Sequence, residues 1–363
     1  MNKKQVVLAM SGGVDSSVAA YLLKKRGYTV MGITFKLWQG SECKDEKRKS
    51  CCSADSIRDA KDACAKLKIP HYVIDYAKQF KTKVIDNFLD NYKRGLTPNP
   101  CIICNEKIKF PFLLEQAKAL GADYIATGHY AKCCYNIKSR RFLIKEARDK
   151  NKDQSYVLFS LTQGILSHLM LPVGYYNKDA IRSIAKKLKL NSYKRQESQE
   201  ICFVADDDLK KFLKENLKSS IKSGRIKDEK GKVLAHHPGA CFYTIGQRRG
   251  LRIPYGKPIY VVNINPKTGD ITVGDYAATL KRTIKVRDVR WSSLPDKGQQ
   301  YLNAKVKIRY KHEKAKAELN ILSSKTCEVT FLKPQNAPTP GQAAVFYKNN
   351  TVIGGGWIDL VYS

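Results

Sequence analysis

Three short stretches of this chain carry residue types whose spacing allows chemistry. The first is Ser11-Gly12-Gly13-Val14-Asp15-Ser16-Ser17, which follows the apolar, β-branched run Val6–Met10 and precedes a segment, Ser16–Lys25, with helical periodicity through Val18, Tyr21 and Leu22. A strand therefore turns into a helix through two glycines. Without Cβ atoms their backbone N–H groups can approach a ligand closely, and the helix N-terminus adds partial positive charge, which together suit a phosphate. Asp15 beside such a site makes electrostatic sense with a cation between the two. The spacing is neither that of a Walker A loop nor GxGxxG, and two glycines after a strand also occur in turns that bind nothing.

The second stretch is Thr97-Pro98-Asn99-Pro100-Cys101-Ile102-Ile103-Cys104, and the third is Ser198-Gln199-Glu200-Ile201-Cys202-Phe203-Val204. Two prolines around Asn99 predict a rigid, extended loop that is neither helix nor central strand. Cys104 is then expected at the mouth of the next helix, where the helix N-terminus would lower the thiol pKa and make it nucleophilic. Cys101-x-x-Cys104 also reads as half a zinc site or a redox pair, but no second CxxC accompanies it. Cys202, 98 positions after Cys104, is a second isolated thiol.

The elements that must position these residues alternate as in a parallel sheet. Gly27 closes the first helix, Tyr28–Phe35 reads as a strand, and the polar segment Trp38–Ser53 reads as a loop that could serve as a lid. A helix over Ala54–Leu67, a strand over His71–Asp75 and an amphipathic helix over Phe80–Tyr92 follow. Asp123–Tyr130 is a strand ending in a Gly128-His129 turn, on the carboxyl edge where open α/β sheets bind ligands. Lys152–Tyr156 reads as a helix start with Asp153 or Ser155 as N-cap, and Lys178–Leu190 as a basic amphipathic helix. Beyond Asp206 the pattern changes to a Lys-rich helix, glycine turns and the basic turn Gly246–Gly250, which is either a phosphate contact or a solvated loop. From Thr283 short alternating strands recur: 284–289, 304–310, 315–322, 326–331, 343–348 and 351–357. These predict a small β-barrel. The expected division is an α/β domain over 1–205, a small central domain over 206–280 and the barrel over 281–363.

The composition fits two or three globular domains: 363 residues, 43% of them hydrophobic. No apolar run approaches a membrane span, and the first residues lead straight into a strand without the regions of a signal peptide, so the cytoplasm is the expected location. Sixty-six Lys and Arg against 33 Asp and Glu give a formal charge of +33. Either a polyanionic partner or a proteome-wide lysine bias accounts for it. Residues 281–316 alone hold twelve Lys/Arg against three Asp/Glu, with Tyr310 among them, which favours nucleic acid. Eleven cysteines, an odd count, argue against a disulfide framework; Cys43, Cys64, Cys133, Cys134 and Cys241 read as small buried apolar residues.

SGGVDSS at a strand-to-helix junction resembles the signature of the PP-loop ATP pyrophosphatases, enzymes that cleave ATP between the α and β phosphates to activate a carbonyl oxygen as AMP. TPNPCIICNEKIKF, TGHYA, KDQSYVLF, SQEICFV, PGACFYTIGQRRGL and GQAAVFY, in that order, take the resemblance to a family: the chain is similar to the tRNA-specific 2-thiouridylases over nearly its whole length. The resemblance implies ATP-dependent conversion of the wobble uridine, position 34, of tRNA to 2-thiouridine, with ATP and Mg²⁺. Lys, Glu and Gln tRNAs and a persulfide donor, a cysteine desulfurase or a sulfur-relay protein, are the implied partners. It also implies that Cys202 carries a persulfide, that Cys104 is the nucleophile, and that a Cys104–Cys202 disulfide is left to be reduced. ATP would be held by Ala9, Met10, Ser11, Gly12, Gly13, Val14, Asp15, Ser16, Phe35 and Gly128. Asn99, Pro100 and Cys101 would face the target base; His129, Lys152, Asp153, Gln154, Arg309, Tyr310 and Gln342 would touch tRNA. Cys101 stands where many members have Asp, and Phe35 where many have Met. Two rivals remain at this point: a PP-loop enzyme that aminates its activated carbonyl, needing neither thiol nor RNA, and a non-catalytic RNA-binding protein in which both cysteines are core residues.

Overall fold

A computed structural model describes residues 3–38, 54–194, 201–204, 208–292 and 300–362. Cys43, Cys51, Cys52 and the loop expected around them, as well as Ser198–Glu200, lie outside the described residues. The chain divides into two compact units, one of Met1–Ile85, Pro100–Asp207 and Asn350–Val352, the other of Asp86–Asn99, Asp208–Asn349 and Ile353–Ser363.

The first unit is built on β1 (Gln5–Ala9), α1 (Val14–Lys25), β2 (Thr29–Lys36), α2 (Ala54–Lys66) and β3 (His71–Asp75), then α3 (Ala77–Phe80). A π-helical turn, Lys81–Ile85, follows and leads into α4 (Asp86–Lys93), which belongs to the other unit. The expected helix over Phe80–Tyr92 is thus interrupted. The chain returns through α5 (Pro100–Cys104), a second π turn (Asn105–Lys109), α6 (Phe110–Ala119) and β4 (Tyr124–Ala126). The hairpin β5 (Ala131–Asn136) and β6 (Arg141–Glu146), α7 (Gln163–Leu166), β7 (Leu169–Met170) and α8 (Lys178–Lys187) complete it.

The sheet order is β3-β2-β1-β4-β7, all parallel, with Val6 in register with both Val30 and Tyr124. Strand order reverses at β1, whose neighbours β2 and β4 lead away on opposite sides. In open α/β sheets a crevice opens at the carboxyl end of the strands at such a point. Val6, Val7 and Leu8 are fully buried, and Val18, Leu22 and Leu23 of α1 share one core with Val6 and Leu8 and with Ala185 and Ile181 of α8. Each such side chain contributes about 1.5–3 kcal/mol of burial, so the α1 N-terminus is fixed relative to β1 by the core itself.

In the second unit, α9 (Leu209–Leu217) packs on α4 through Phe212 and Phe88, ring centroids 6.3 Å apart. A four-stranded sheet of β8 (Gly224–Lys227), β9 (Val233–His237), β10 (Tyr260–Ile264) and β11 (Ile271–Gly274) follows in the order β10-β11-β8-β9. The barrel strands are β12 (Leu280–Trp291), β13 (Tyr301–Lys307), β14 (Ala315–Ser323), β15 (Thr326–Asn336), β16 (Ala343–Lys348) and β17 (Thr351–Tyr362). Pairing of β12 with both β15 and β17 closes them. Period-2 alternation decides the two faces: Ile284, Val286, Val306 and Ile308 are in the core, while Lys285, Arg287, Lys305 and Lys307 between them point outward.

Candidate active site

The strand-to-helix turn forms where the sequence placed it. Ala9 ends β1 and Gly13 is the N-cap of α1; Gly12, at φ +72°, occupies the left-handed region that only glycine enters without strain. Ser16 Oγ accepts from Ser11 N at 3.3 Å and donates to Gly13 O at 3.1 Å, and Ser17 Oγ donates to the same carbonyl at 3.0 Å. The serines brace the loop from within. Gly13 offers no side-chain cap, which leaves the first-turn N–H groups of α1 to an anion. Gly128, just past β4, comes against this turn so closely that a Cβ there would lie 2.7 Å from Ser16 N and 2.9 Å from the Asp15 carbonyl carbon. Phe35, in β2, is buried edge-on against Tyr76 at 5.3 Å.

Asp15 has partners the sequence did not reveal. Lys178, the first residue of α8 and 5% exposed, places Nζ 2.8 and 2.9 Å from its two carboxylate oxygens, and Tyr130 donates its hydroxyl to Oδ1 at 2.7 Å. The same ammonium sits 5.5 Å from the centre of the Tyr130 ring. Asp149 Oδ2 accepts from Lys178 N at 3.0 Å. Gln154 Oε1 accepts from Tyr130 N at 2.8 Å while Gln154 N donates to Tyr130 O at 2.7 Å. The phosphate loop, the Gly128–Tyr130 turn and the Lys152–Gln154 loop therefore form one hydrogen-bonded assembly. Among the described residues no three His, Cys, Asp or Glu side chains gather as a metal cage. A Mg²⁺ ion bound here would have Asp15 as a nearby carboxylate and would take its other ligands from a bound phosphate.

Asp153 is not an N-cap but a buried loop anchor: Oδ1 accepts from Ala147 N at 2.8 Å and Oδ2 from Ser155 Oγ at 2.6 Å. The helix that follows is a single 3₁₀ turn, Ser155–Leu158, with Gln154 at the N-cap position and no side-chain cap. His129 accepts or donates between Nδ1 and Thr127 Oγ1 at 2.8 Å and lies 5.7 Å from the Phe110 ring. Burial, with Lys109 nearby, pushes its pKa down to about 3, so the ring is neutral in the folded chain. The unfolded chain binds a proton near pH 6.5 that the folded chain refuses, so stability is present above that pH and is lost as pH falls toward 3. His129→Gln should therefore remove about 1–2 kcal/mol of the stability lost between neutral pH and about pH 5, read as a flatter Tm against pH in thermal melts. Parallel Tm curves for the two proteins would refute the neutral ring.

Cys104 is the last residue of α5, not the first of a helix. Pro100 lacks an N–H that a first helical residue does not need and has its φ preset, so it starts the helix the sequence reading expected it to prevent. The thiol is 5% exposed, whereas Cys101, one turn earlier, is exposed. Asn105 follows, buried, donating Nδ2 to Val157 O at 3.0 Å, and begins the π turn; such turns cluster at functional sites. Cys202 lies in a turn, partly exposed, and its neighbour Phe203 is buried with its ring 5.8 Å from that of Phe80. The Lys81–Ile85 turn that continues from Phe80 packs on α5. One short stretch, Phe80–Ile85, thus receives both thiol-bearing segments. Cys104 and Cys202 are both thiols in this structure. A cleft of about 500 Å³ at the other end of α1, between Tyr21, Lys25, Arg26, Tyr176 and Lys187, is remote from this chemistry.

In the second unit Tyr310 lies under Lys307, Nζ 5.6 Å from its ring centre. Arg309 is turned to its own fold, donating Nη2 to Ala337 O and, at 2.9 Å, to Thr339 Oγ1. Gln342 donates Nε2 to Thr97 O at 2.8 Å. Thr97 and Asn99 belong to this unit, Pro100 and Cys101 to the other.

Three family models match the chain: "tRNA methyl transferase HUP domain" over residues 4–206, "tRNA methyl transferase PRC-barrel domain" over 210–275 and "Aminomethyltransferase beta-barrel domain" over 281–358. Among curated proteins, the tRNA-specific 2-thiouridylase MnmA of Clostridium perfringens is 43% identical over 99% of both chains. Its counterpart in Clostridioides difficile is 44% identical over 99% of both, and MnmA 2 of Thermoanaerobacter sp. is 45% identical over 98% of both. A solved 4-thiouridine synthetase–RNA complex with bound ATP aligns with 60% of this chain and 51% of its own, at 17% identity and a TM-score of 0.38. No helix among the described residues is long and apolar enough to cross a membrane. With relatives this similar along the whole length, the chain belongs to the tRNA-specific 2-thiouridylase family.

Proposed function

We propose that this protein uses ATP to activate the C2 carbonyl of the wobble uridine of tRNA and replaces its oxygen with sulfur, giving 2-thiouridine, AMP and pyrophosphate. The observation that carries the reading is that one α/β unit contains both a phosphate cradle at Gly12–Ser16 and two thiol-bearing segments that meet the same Phe80–Ile85 stretch. A methyl transfer needs neither.

A carbonyl oxygen is a poor leaving group, and ATP, as co-substrate, supplies the adenylyl group that makes it a good one. The loop amides and the α1 N-terminus hold the phosphates whose negative charge grows as pyrophosphate departs, at the helix end that favours anions. Gly128, by keeping its side chain out of the Asp15–Ser16 backbone, leaves that cradle open. Mg²⁺ would be carried on the phosphates beside Asp15. Sulfur arrives as a persulfide on Cys202, loaded by a donor protein. Either the outer sulfur of the Cys202 persulfide attacks C2 as AMP leaves and Cys104 then attacks Cys202 Sγ, breaking the S–S bond to free the thiocarbonyl, or Cys104 attacks Cys202 Sγ first and expels sulfide, which attacks C2 while AMP leaves; both routes end in a Cys104–Cys202 disulfide that a two-electron reductant must reopen. Lys, Glu and Gln tRNAs are the proposed acceptors, and the cytoplasm the proposed site of action.

The barrel surface supports an anionic partner. Lys305 and Lys316 are direct partners across β13 and β14, both exposed. Like charges so placed destabilise a sheet in isolation, and a phosphate backbone reverses the sign. The assay that tests the function mixes the chain with ATP, Mg²⁺, a persulfide source and unmodified tRNA, and measures pyrophosphate and digested nucleosides. Pyrophosphate should appear only with tRNA present and match 2-thiouridine one for one. Release at full rate without tRNA, or with ammonia as the acceptor, would sink the reading in favour of an aminating enzyme.

A further inference from the structure

The segment that leads to Asn99 has an unusual need. Pro98 and Pro100 lack N–H groups, so this stretch cannot hold itself by local main-chain bonds, and its carbonyls must find donors elsewhere. The Pro340–Gln342 turn at the start of β16 supplies them. Gln342 Nε2 donates to Thr97 O at 2.8 Å and reaches Pro98 O at 3.4 Å, and Thr97 N donates to Pro340 O at 3.0 Å. Between them Gly341, at φ +91°, lets the two strands of chain touch: a Cβ there would lie 2.9 Å from Leu96 Cβ and 3.0 Å from Thr97 N. The turn is itself fixed. Gly341 N donates to Ile358 O at 2.9 Å and Ile358 N to Gln342 O at 2.8 Å, while Arg309 grips Ala337 O and Thr339 Oγ1 just before it. Thr339 is buried.

We propose that Gln342 is a positioning residue for the target-base loop: by holding Thr97 and Pro98 it makes the barrel, rather than the loop, set where Asn99 stands. The proposal rests on the reading above, which gives Asn99 to the target base. On this account the barrel is more than an affinity module. Arg309 acts one step further back, holding the turn that holds the loop.

The test uses the full chain with Gln342→Ala, Gln342→Glu and Gln342→Lys. Alanine removes the donor, glutamate sets an acceptor against two carbonyls, and lysine restores a donor of similar reach. Loss of a hydrogen bond of this kind corresponds to about a tenfold change. Gln342→Ala should lower kcat for 2-thiouridine formation about tenfold, with KM for tRNA and tRNA affinity within about twofold, and should raise the exchange rate of the Thr97 amide by a similar factor. Gln342→Glu should be worse and Gln342→Lys should recover most of the loss. If tRNA affinity falls while kcat and Thr97 exchange stay at the parent values, Gln342 is a tRNA contact only and the proposal is overturned. Were the parent protein to make no 2-thiouridine at all, the functional reading would fall by itself, and unchanged Thr97 exchange in Gln342→Ala would still overturn the clamp.

Discussion

Cys104→Ser and Cys202→Ser each reduce 2-thiouridine formation to about the uncatalysed level, because a hydroxyl can neither carry a sulfane sulfur nor attack one. Both variants keep ATP binding, since the cradle at Gly12–Ser16 involves neither residue. Cys101→Ser should keep substantial activity: Cys101 is exposed and one helical turn away from the buried Cys104 on α5. Three of the remaining described thiols have a physical reason to be inert. Burial pushes Cys64, Cys133 and Cys327 up to about 12, so at neutral pH they are neither thiolates nor nucleophiles. One turnover without added reductant should leave a Cys104–Cys202 bond, with Cα atoms roughly 4.4–6.8 Å apart as disulfide geometry requires. The measurement is nucleoside analysis of tRNA after incubation, with non-reducing peptide mapping of the enzyme. A Cys101→Ser variant as inactive as Cys104→Ser would move the nucleophile to the CxxC pair as a unit and end the assignment argued here.

How much of this was legible before the structure depends on whether the signal is local. Gly12 at positive φ, the β1–α1 junction and the barrel strands are written in short-range patterns, glycines at a turn and period-2 alternation, and these appear where the sequence places them. The π turns at Lys81–Ile85 and Asn105–Lys109 left no trace, because one extra residue in a turn shifts the apolar stripe without abolishing it. Pro100 between Asn99 and Cys101 predicts a break in helix, whereas a proline at the first helical position is a helix start. Asp153 looked like a cap because composition cannot tell a carboxylate facing the N–H groups of a helix from one folded back on Ala147 N. Lys178 was least accessible of all. It lies 163 residues from Asp15, on a helix whose other lysines are solvated, and no periodicity distinguishes it from them.

That pair changes what substitution at Asp15 should do. From the sequence alone, Asp15→Ala is a clean way to stop ATP activation in a folded protein. With Lys178 7% exposed at its side chain and both carboxylate oxygens of Asp15 on its ammonium, the same change strands a buried charge. Removing one member of a fully buried pair costs about 3–5 kcal/mol, and Asp15, 27% exposed at its side chain, makes this pair part-buried, so Asp15→Ala should lower the urea midpoint by less than that full cost and Lys178→Met by less again. Asp15→Asn is milder, since the amide oxygen can still accept from Tyr130. Replacing both charges at once, Asp15→Asn with Lys178→Met, should restore stability to within about 1 kcal/mol of the parent, because an apolar or neutral pair of similar volume is no worse than the ions it replaces. Pyrophosphate release should not return with it. The double variant therefore separates the two roles of Asp15: recovered stability without activity is the expected result. Activity that returns with stability would show that the carboxylate serves only the fold and has no part in handling ATP, while singles that unfold like the parent would mean that the Asp15–Lys178 contact carries no energy.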